Sequence, residues 1–213
     1  MKFFEKLLKS IKKRTDLYYF YYKYYDFFNK NQEIKLYAFL RAYNEKQTIK
    51  MSLETMLQGG VINGILGYHL NEQKSDDGTS KILKKFAENN NGFKDILYPY
   101  HVIPAHDNRY ENNTNANLRL DTYYNYILNH IPKNEWFIKI DGDHLYNPIA
   151  LNMAIKQITN SYDVIYLPYI NIHYKNNKLF FIKDGFRIGD DNWIVKYING
   201  VKFIFDSKIN VKK

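Results

Sequence analysis

Trp136-Phe137-Ile138-Lys139-Ile140-Asp141-Gly142-Asp143-His144-Leu145-Tyr146 is the stretch on which the reading of the fold turns. Its apolar first half, bounded by turn residues, predicts a strand buried in a sheet core. The strand ends in two carboxylates one residue apart. Side chains alternate along an extended chain, so Asp141 and Asp143 point the same way if the strand geometry persists. Two hard oxygen ligands converging at a strand end suit Mg²⁺ or Mn²⁺, which can then grip a diphosphate. The competing reading is a pair of turn or helix-capping aspartates ahead of Pro148.

Outward from that strand, the chain alternates between strand and helix signals. Ile34 to Leu40 predicts a first strand, ending at Arg41-Ala42-Tyr43-Asn44-Glu45. Ile49, Leu53, Met56 and Leu57 mark one helical face, stopped by Gly59 and Gly60. Val61 to Leu70 reads as a second strand, weakened by Gly64 and Gly67. A polar turn from Asn71 to Thr79 precedes a helix marked by Ile82, Leu83 and Phe86. Phe93 to Ile103 is a third strand, interrupted by Pro99, and Pro104 to Asn117 is a loop. Leu118 to Ile131 returns to helix, with Leu120, Tyr124 and Ile127 on one face. Beyond Asp143 come a helix from Pro148 to Thr159 and strand-rich sequence from Val164 to Phe181. A helix around Asp190 to Asn199 and a last strand, Val201 to Phe205, complete the prediction. The pattern is α/β: a mostly parallel sheet flanked by helices, with ligands at the carboxyl ends of the strands. On that plan Arg41–Glu45, Asp76–Thr79 and Asp141–Asp143 converge on one edge. No G-x-G-x-x-G or Walker loop is present, which argues against dinucleotide oxidoreductases and P-loop enzymes.

A chain of 213 residues with 45% hydrophobic content supports one sizeable core, assigned to residues 31–213. Residues 1–30 differ: Phe3, Phe4, Leu7, Leu8 and Ile11 recur at helical spacing, with lysines opposite and a tyrosine-rich run after them. A basic amphipathic, aromatic segment suits an anionic membrane surface, or equally packing and self-association. There is no cysteine, so disulfides and thiolate metal sites are excluded. Neither a spanning helix nor a secretory signal is evident, so the expected location is cytoplasmic, peripheral on the inner membrane face. The net charge of +9 favours phosphates or anionic lipid. Nucleic acid is not an expected partner, because no aromatic RNP-type strand pair or zinc finger accompanies the charge.

Among single residues, Arg41 suits pairing with a diphosphate or with Glu45. His144 suits a hydrogen-bonding role beside the aspartate pair, and His173 a structural one. His101 and His106 lack metal-site spacing. Asp190 and Asp191 read either as a helix cap or as a catalytic base, with Asp191 the candidate and Trp193 a sugar-stacking platform.

Further motifs run in order along the chain: Ala38-Phe39-Leu40-Arg41 with Asn44-Glu45, Ser52-Leu53-Glu54, Gly67-Tyr68 leading to Asp77-Gly78, and Tyr98-Pro99-Tyr100. Tyr123 to Tyr126, Ile131 to Trp136, Ile138 to Tyr146, Tyr162-Asp163-Val164 and Ile172-His173-Tyr174 follow. In these the chain resembles the bacterial β-1,4-N-acetylgalactosaminyltransferases of lipooligosaccharide synthesis, across about residues 36–184. The resemblance implies a GT-A-like fold and an inverting, metal-dependent transfer from a UDP-sugar, UDP-GalNAc foremost, to a glycan or lipid-linked glycan acceptor. It implies Mn²⁺ or Mg²⁺ on Asp141 and Asp143, and donor contacts from Arg41, Asn44, Glu45, Asp77 and Asp141. The segment from Tyr68 to Asp77 is longer here than in that family, and family members extend beyond the end of this chain. The second reading is therefore a shortened relative with a binding role only.

Overall fold

The computed structural model describes residues 34–70, 77–104, 110, 115–158, 164–175, 178–187 and 192–204. The chain divides into units Met1–Ile34 and Lys35–Lys213, and the described elements belong to the second. The basic segment 1–30 lies outside the described residues, as do Asp190 and Asp191.

Four strands run parallel at the centre. β1 (Leu36–Arg41) lies between β2 (Asn63–Leu70) and β4 (Trp136–Asp141), and β2 pairs with β3 (Phe93–His101). β8 (Trp193–Lys196) runs antiparallel to β4 and to β5 (Val164–Tyr166). The six-stranded order is β3-β2-β1-β4-β8-β5, and β6 (Tyr169–Lys175) with β7 (Lys178–Arg187) forms a separate antiparallel pair. The parallel crossovers carry α1 (Ile49–Gln58), α2 (Thr79–Asn89) and α3 (Leu120–Leu128), while α4 (Pro148–Lys156) follows β4. This is the mixed α/β architecture expected of a GT-A-like fold.

The central strands are buried on both faces, as a parallel sheet requires. Ala38, Leu40, Ile138 and Ile140 are wholly buried on one side. On the other, Phe39, Ile65 and Phe137 join Tyr98, Tyr123, Ile127 and Tyr197 in one cluster. Gly67 lets α3 approach β2, since a Cβ there would sit 2.7 Å from Ile127 Cγ1. α1 stops at Gly59, and Gly60 follows at φ 96°, a conformation that costs glycine little. α4 starts where Asn147 Oδ1 accepts from the Ile149 and Ala150 N–H groups, with Pro148 in the first turn.

Four expectations are corrected. Residues 192–199 form no helix: Trp193 to Lys196 form β8, whose Ile194 pairs with Ile138 and is fully buried. Adjacent β-branched Ile194 and Val195 fit a pleated core position better than a helical face. Residues 201–204 form no strand. Phe203 instead stacks on Phe39 at 5.2 Å, while Asn125 bonds its N–H and its carbonyl. The polar segment before α3 is anchored where described: Tyr110 is buried, and Ala116–Leu118 form a 3₁₀ turn. Pro99, expected to interrupt β3, sits within it. β3 is an edge strand, and its register with β2 shifts between His69 and Leu70, so no ladder donor is needed there. Among the described residues no helix is long and apolar enough to cross a membrane.

Candidate functional site

β1 and β4 are neighbours whose connections leave in opposite directions, so a crevice opens at their carboxyl ends. Arg41 and Asp141 face each other across it, paired in register at the last position of both strands. The Arg41 guanidinium donates to Asp141 Oδ1, and Lys139 Nζ donates to Oδ2 at 2.8 Å. Burial alone would raise the Asp141 carboxyl, but Arg41, then Lys139 and His144, outweigh it and hold it below the usual range. The Arg41 guanidinium also lies 3.9 Å from the Tyr124 ring centroid, and its Nε–H has no acceptor among the described residues.

The strand does not persist beyond Asp141. Gly142 and Asp143 form a turn closed by the His144 N–H on the Asp141 carbonyl at 3.1 Å. The two aspartates therefore differ: the Asp141 side chain is 27% exposed and the Asp143 side chain 64%. The Asp141 N–H reaches His144 Nδ1 at 3.4 Å, which leaves the imidazole proton on Nε2. Nε2 lies 3.7 Å from Asp141 Oδ2 and 4.0 Å from Asp143 Oδ1.

Glu45 faces the turn from the end of the loop after β1. A Cβ on Gly142 would lie 2.7 Å from Glu45 Cγ, so this glycine permits the approach. Thr48 Oγ1 donates to Glu45 Oε2 at 3.1 Å. Burial raises the Glu45 carboxyl; the Thr48 bond opposes that, and Asp143, Asp141 and Asp77 add to the rise. Asn44 takes a φ of 56°, a left-handed conformation that Asn tolerates better than most residues. Asp77 is already engaged. Its Oδ1 accepts from the Thr79 N–H and Oγ1, and its Oδ2 from the Lys46 N–H at 3.0 Å. These bonds and Lys46 outweigh its slight desolvation and lower its carboxyl. The three strand-end motifs meet at Glu45, whose N–H donates to Thr79 Oγ1 at 2.9 Å and whose side chain lies against Gly142.

The cleft so formed measures about 360 Å³, and Arg41, Tyr43, Glu45, His69, Tyr123 and Asp143 are in its lining. Its lining carries the carboxylates of Glu45, Asp141 and Asp143 together with the Arg41 guanidinium. Among the described residues, no cluster of three His, Asp or Glu side chains could hold a metal alone. Asp143 and Glu45 fit a hard cation that completes its shell with substrate phosphate and water.

Asp191 lies outside the described residues, as does His106. Trp193 packs edge-on against Phe137 and tilted over Phe203, which ties its ring to the core cluster. Sequence reasoning missed Lys139, Tyr43, His69 and Tyr123. A lysine inside an otherwise apolar strand was the available signal for Lys139. Tyr43 and Tyr123 lay within motifs but carried no role of their own, and nothing distinguished His69 among 6 histidines.

No curated protein matches the sequence. A family model described as Beta-1,4-N-acetylgalactosaminyltransferase (CgtA) matches residues 3–209. With nearly the whole chain covered, this protein belongs to that family of glycosyltransferases.

Proposed function

We propose that this glycosyltransferase moves GalNAc from UDP-GalNAc to a glycan of lipooligosaccharide type with inversion, and that a divalent cation assists. The supporting observation is the presence of both charges in the crevice between β1 and β4. Glu45 and Asp143 line the cleft together with Arg41, whose cation is buried beside Asp141. Carboxylates attract a cation, and a buried guanidinium attracts an oxyanion, so together they complement a cation–diphosphate pair. Asp143, with Glu45 near it, would hold the cation, which when bound supplies charge stabilisation for the departing UDP.

In this reading the residues of the chain divide the work. Arg41 takes the phosphate side, its planar fork oriented by Asp141 and the Tyr124 ring. Asp141 serves mainly to fix Arg41, because both its oxygens already accept from cationic groups. Asn44 and Tyr43 approach the nucleoside from the loop after β1. Attack by an acceptor hydroxyl on the anomeric carbon requires a carboxylate to take its proton, and Asp191 is the candidate. The basic segment 1–30 brings the enzyme to the anionic membrane surface that carries lipid-linked acceptors.

Calorimetry with UDP-GalNAc, UDP-Gal, UDP-Glc and UDP-GlcNAc, with Mn²⁺ and with chelator, tests the donor and the cation together. The expected result is cation-dependent binding, tightest for UDP-GalNAc. Absence of binding by folded protein refutes the donor site. Asp191→Asn with intact donor binding and full turnover refutes the base.

A further inference from the structure

His69 closes β2 at the carboxyl edge of the sheet, one strand beyond β1 and on the side away from β4. Its ring stacks on Tyr43 at 4.9 Å and 15°, and meets Tyr123 edge-on at 5.2 Å. These contacts fix the imidazole plane in the wall of the cleft. Its Nδ1 lies 2.8 Å from the Leu70 carbonyl. A carbonyl oxygen only accepts, so Nδ1 carries the proton and Nε2 carries the lone pair. Nε2 has no hydrogen-bond partner among the described residues. Burial, the dominant influence, lowers the His69 pKa and keeps the ring neutral, although the Leu70 bond opposes it.

A second group in the same wall points to a ligand. Tyr123 is 2% exposed, and its hydroxyl finds no partner among the described residues. Buried polar groups are ordinarily satisfied, so an unused buried hydroxyl beside a half-buried imidazole with a free lone pair marks a ligand-facing surface. Asp77, the acidic residue expected from the family resemblance on this side, has both oxygens committed to backbone and Thr79 donors. A neutral imidazole is thus the available acceptor where an acid was expected. It prefers an uncharged N–H or O–H to a phosphate, because a lone pair repels an oxyanion.

We propose that His69 is a donor-recognition residue whose Nε2 accepts a hydrogen bond from a neutral N–H or O–H of the nucleoside. The assignment rests on the UDP-sugar reading of the same cleft. Strands lie about 4.8 Å apart, so β2 is roughly 10 Å from β4, the span from a diphosphate near Asp143 to its nucleoside. Two nucleoside groups offer that chemistry, the uracil imide N–H and a ribose hydroxyl. Their separation is experimental.

The test is calorimetric binding of UDP, N3-methyl-UDP and 2′-deoxy-UDP to the full chain with Mn²⁺, for wild type, His69→Phe and His69→Gln. Phe preserves the ring stack and removes the acceptor; Gln restores one. His69→Phe should weaken UDP about tenfold, with partial recovery in His69→Gln. Wild type should lose a similar factor with one analogue only, and His69→Phe should be blind to that same change. A penalty with the methylated base identifies the imide, and one with the deoxyribose identifies the hydroxyl. Should either variant fold poorly, ¹⁵N NMR of wild-type His69 reads the same contact, as a shift of Nε2 when UDP is added. UDP binding unchanged in His69→Phe, or an Nε2 resonance that ignores UDP, overturns the assignment and leaves the donor site standing. No UDP binding by folded wild type overturns both.

Discussion

Asp141→Asn should destabilise the protein more than Arg41→Met, although each breaks the same ion pair. The asymmetry comes from what each change leaves behind. Arg41→Met leaves Asp141 with Lys139 Nζ at 2.8 Å and His144 Nε2 at 3.7 Å, in a side chain 27% exposed. That carboxylate stays paired and partly hydrated, so the loss is one charge-assisted bond and the packing over Tyr124, about 1–3 kcal/mol. Asp141→Asn leaves the Arg41 guanidinium with no carboxylate, in a side chain only 5% exposed. Breaking a buried pair from that side costs about 3–5 kcal/mol. For a domain of this size each kcal/mol moves the melting temperature by about 2–4 °C. Asp141→Asn should therefore melt about 10 °C below wild type, and Arg41→Met about 5 °C below.

Acid supplies an independent check. The folded Asp141 carboxyl is held below its ordinary value of 3.8, so the unfolded chain protonates first as pH falls. Its contribution is complete above the unfolded value and fades as pH drops through the folded one. Calorimetric melts at pH 7, 5 and 3 should show the gap between wild type and Asp141→Asn shrinking only at the last step. Equal losses in the two variants, or a gap that persists unchanged in acid, would refute the claim that buried charge, rather than shape, holds these strand ends.

Asp143→Ala should abolish cation-dependent donor binding while moving the melt by no more than about 2 °C, since its side chain is 64% exposed; a large loss of stability would make it structural. Gly142→Ala should weaken cation-dependent binding at a cost of about 1–3 kcal/mol, because the new Cβ displaces Glu45 from 2.7 Å. Unchanged binding in that variant would remove Glu45 from the site. Replacing Lys2, Lys6, Lys9, Lys12 and Lys13 by Gln should release the full chain from phosphatidylserine vesicles in sedimentation, each lysine contributing about 1 kcal/mol at low salt. Retention on vesicles would end the membrane reading of residues 1–30.

The sheet was legible because its period is short-range. Trp136 to Ile140 is an apolar run broken only by Lys139, and Gly59–Gly60 and Asn147–Pro148 punctuate the helices beside it. β8 was not legible, since Trp193 to Lys196 becomes a strand only through pairing with β4 and β5. A four-residue segment carries too little pattern to outweigh an apparent helix cap before it. Within the site, Asp141, Asp143, Glu45 and Arg41 stood out as charged residues at strand ends. Tyr43 and His69 could not, because their stack joins residues from two different strand ends and depends on the register Arg41↔Gly67.

The Asp141–Asp143 pair shows how spacing in the sequence can imply the wrong geometry. Spacing of two residues implies equivalent directions only in an extended chain. Here Gly142 bends the chain at the point where the sheet ends, and Glu45 occupies the space a side chain would have filled. On the proposed reading, the bend separates two tasks that continued extension would have merged. Asp141 stays in the sheet, where low dielectric makes its bonds to Arg41 and Lys139 strong and its orientation fixed. Asp143 emerges into water, where a carboxylate can exchange hydration for a cation at little desolvation cost. A single buried aspartate serving both tasks would have to release its cationic partners each time a donor entered. With the tasks divided, Arg41 can remain in place throughout turnover, and the positive wall of the cleft does not have to be rebuilt for each substrate.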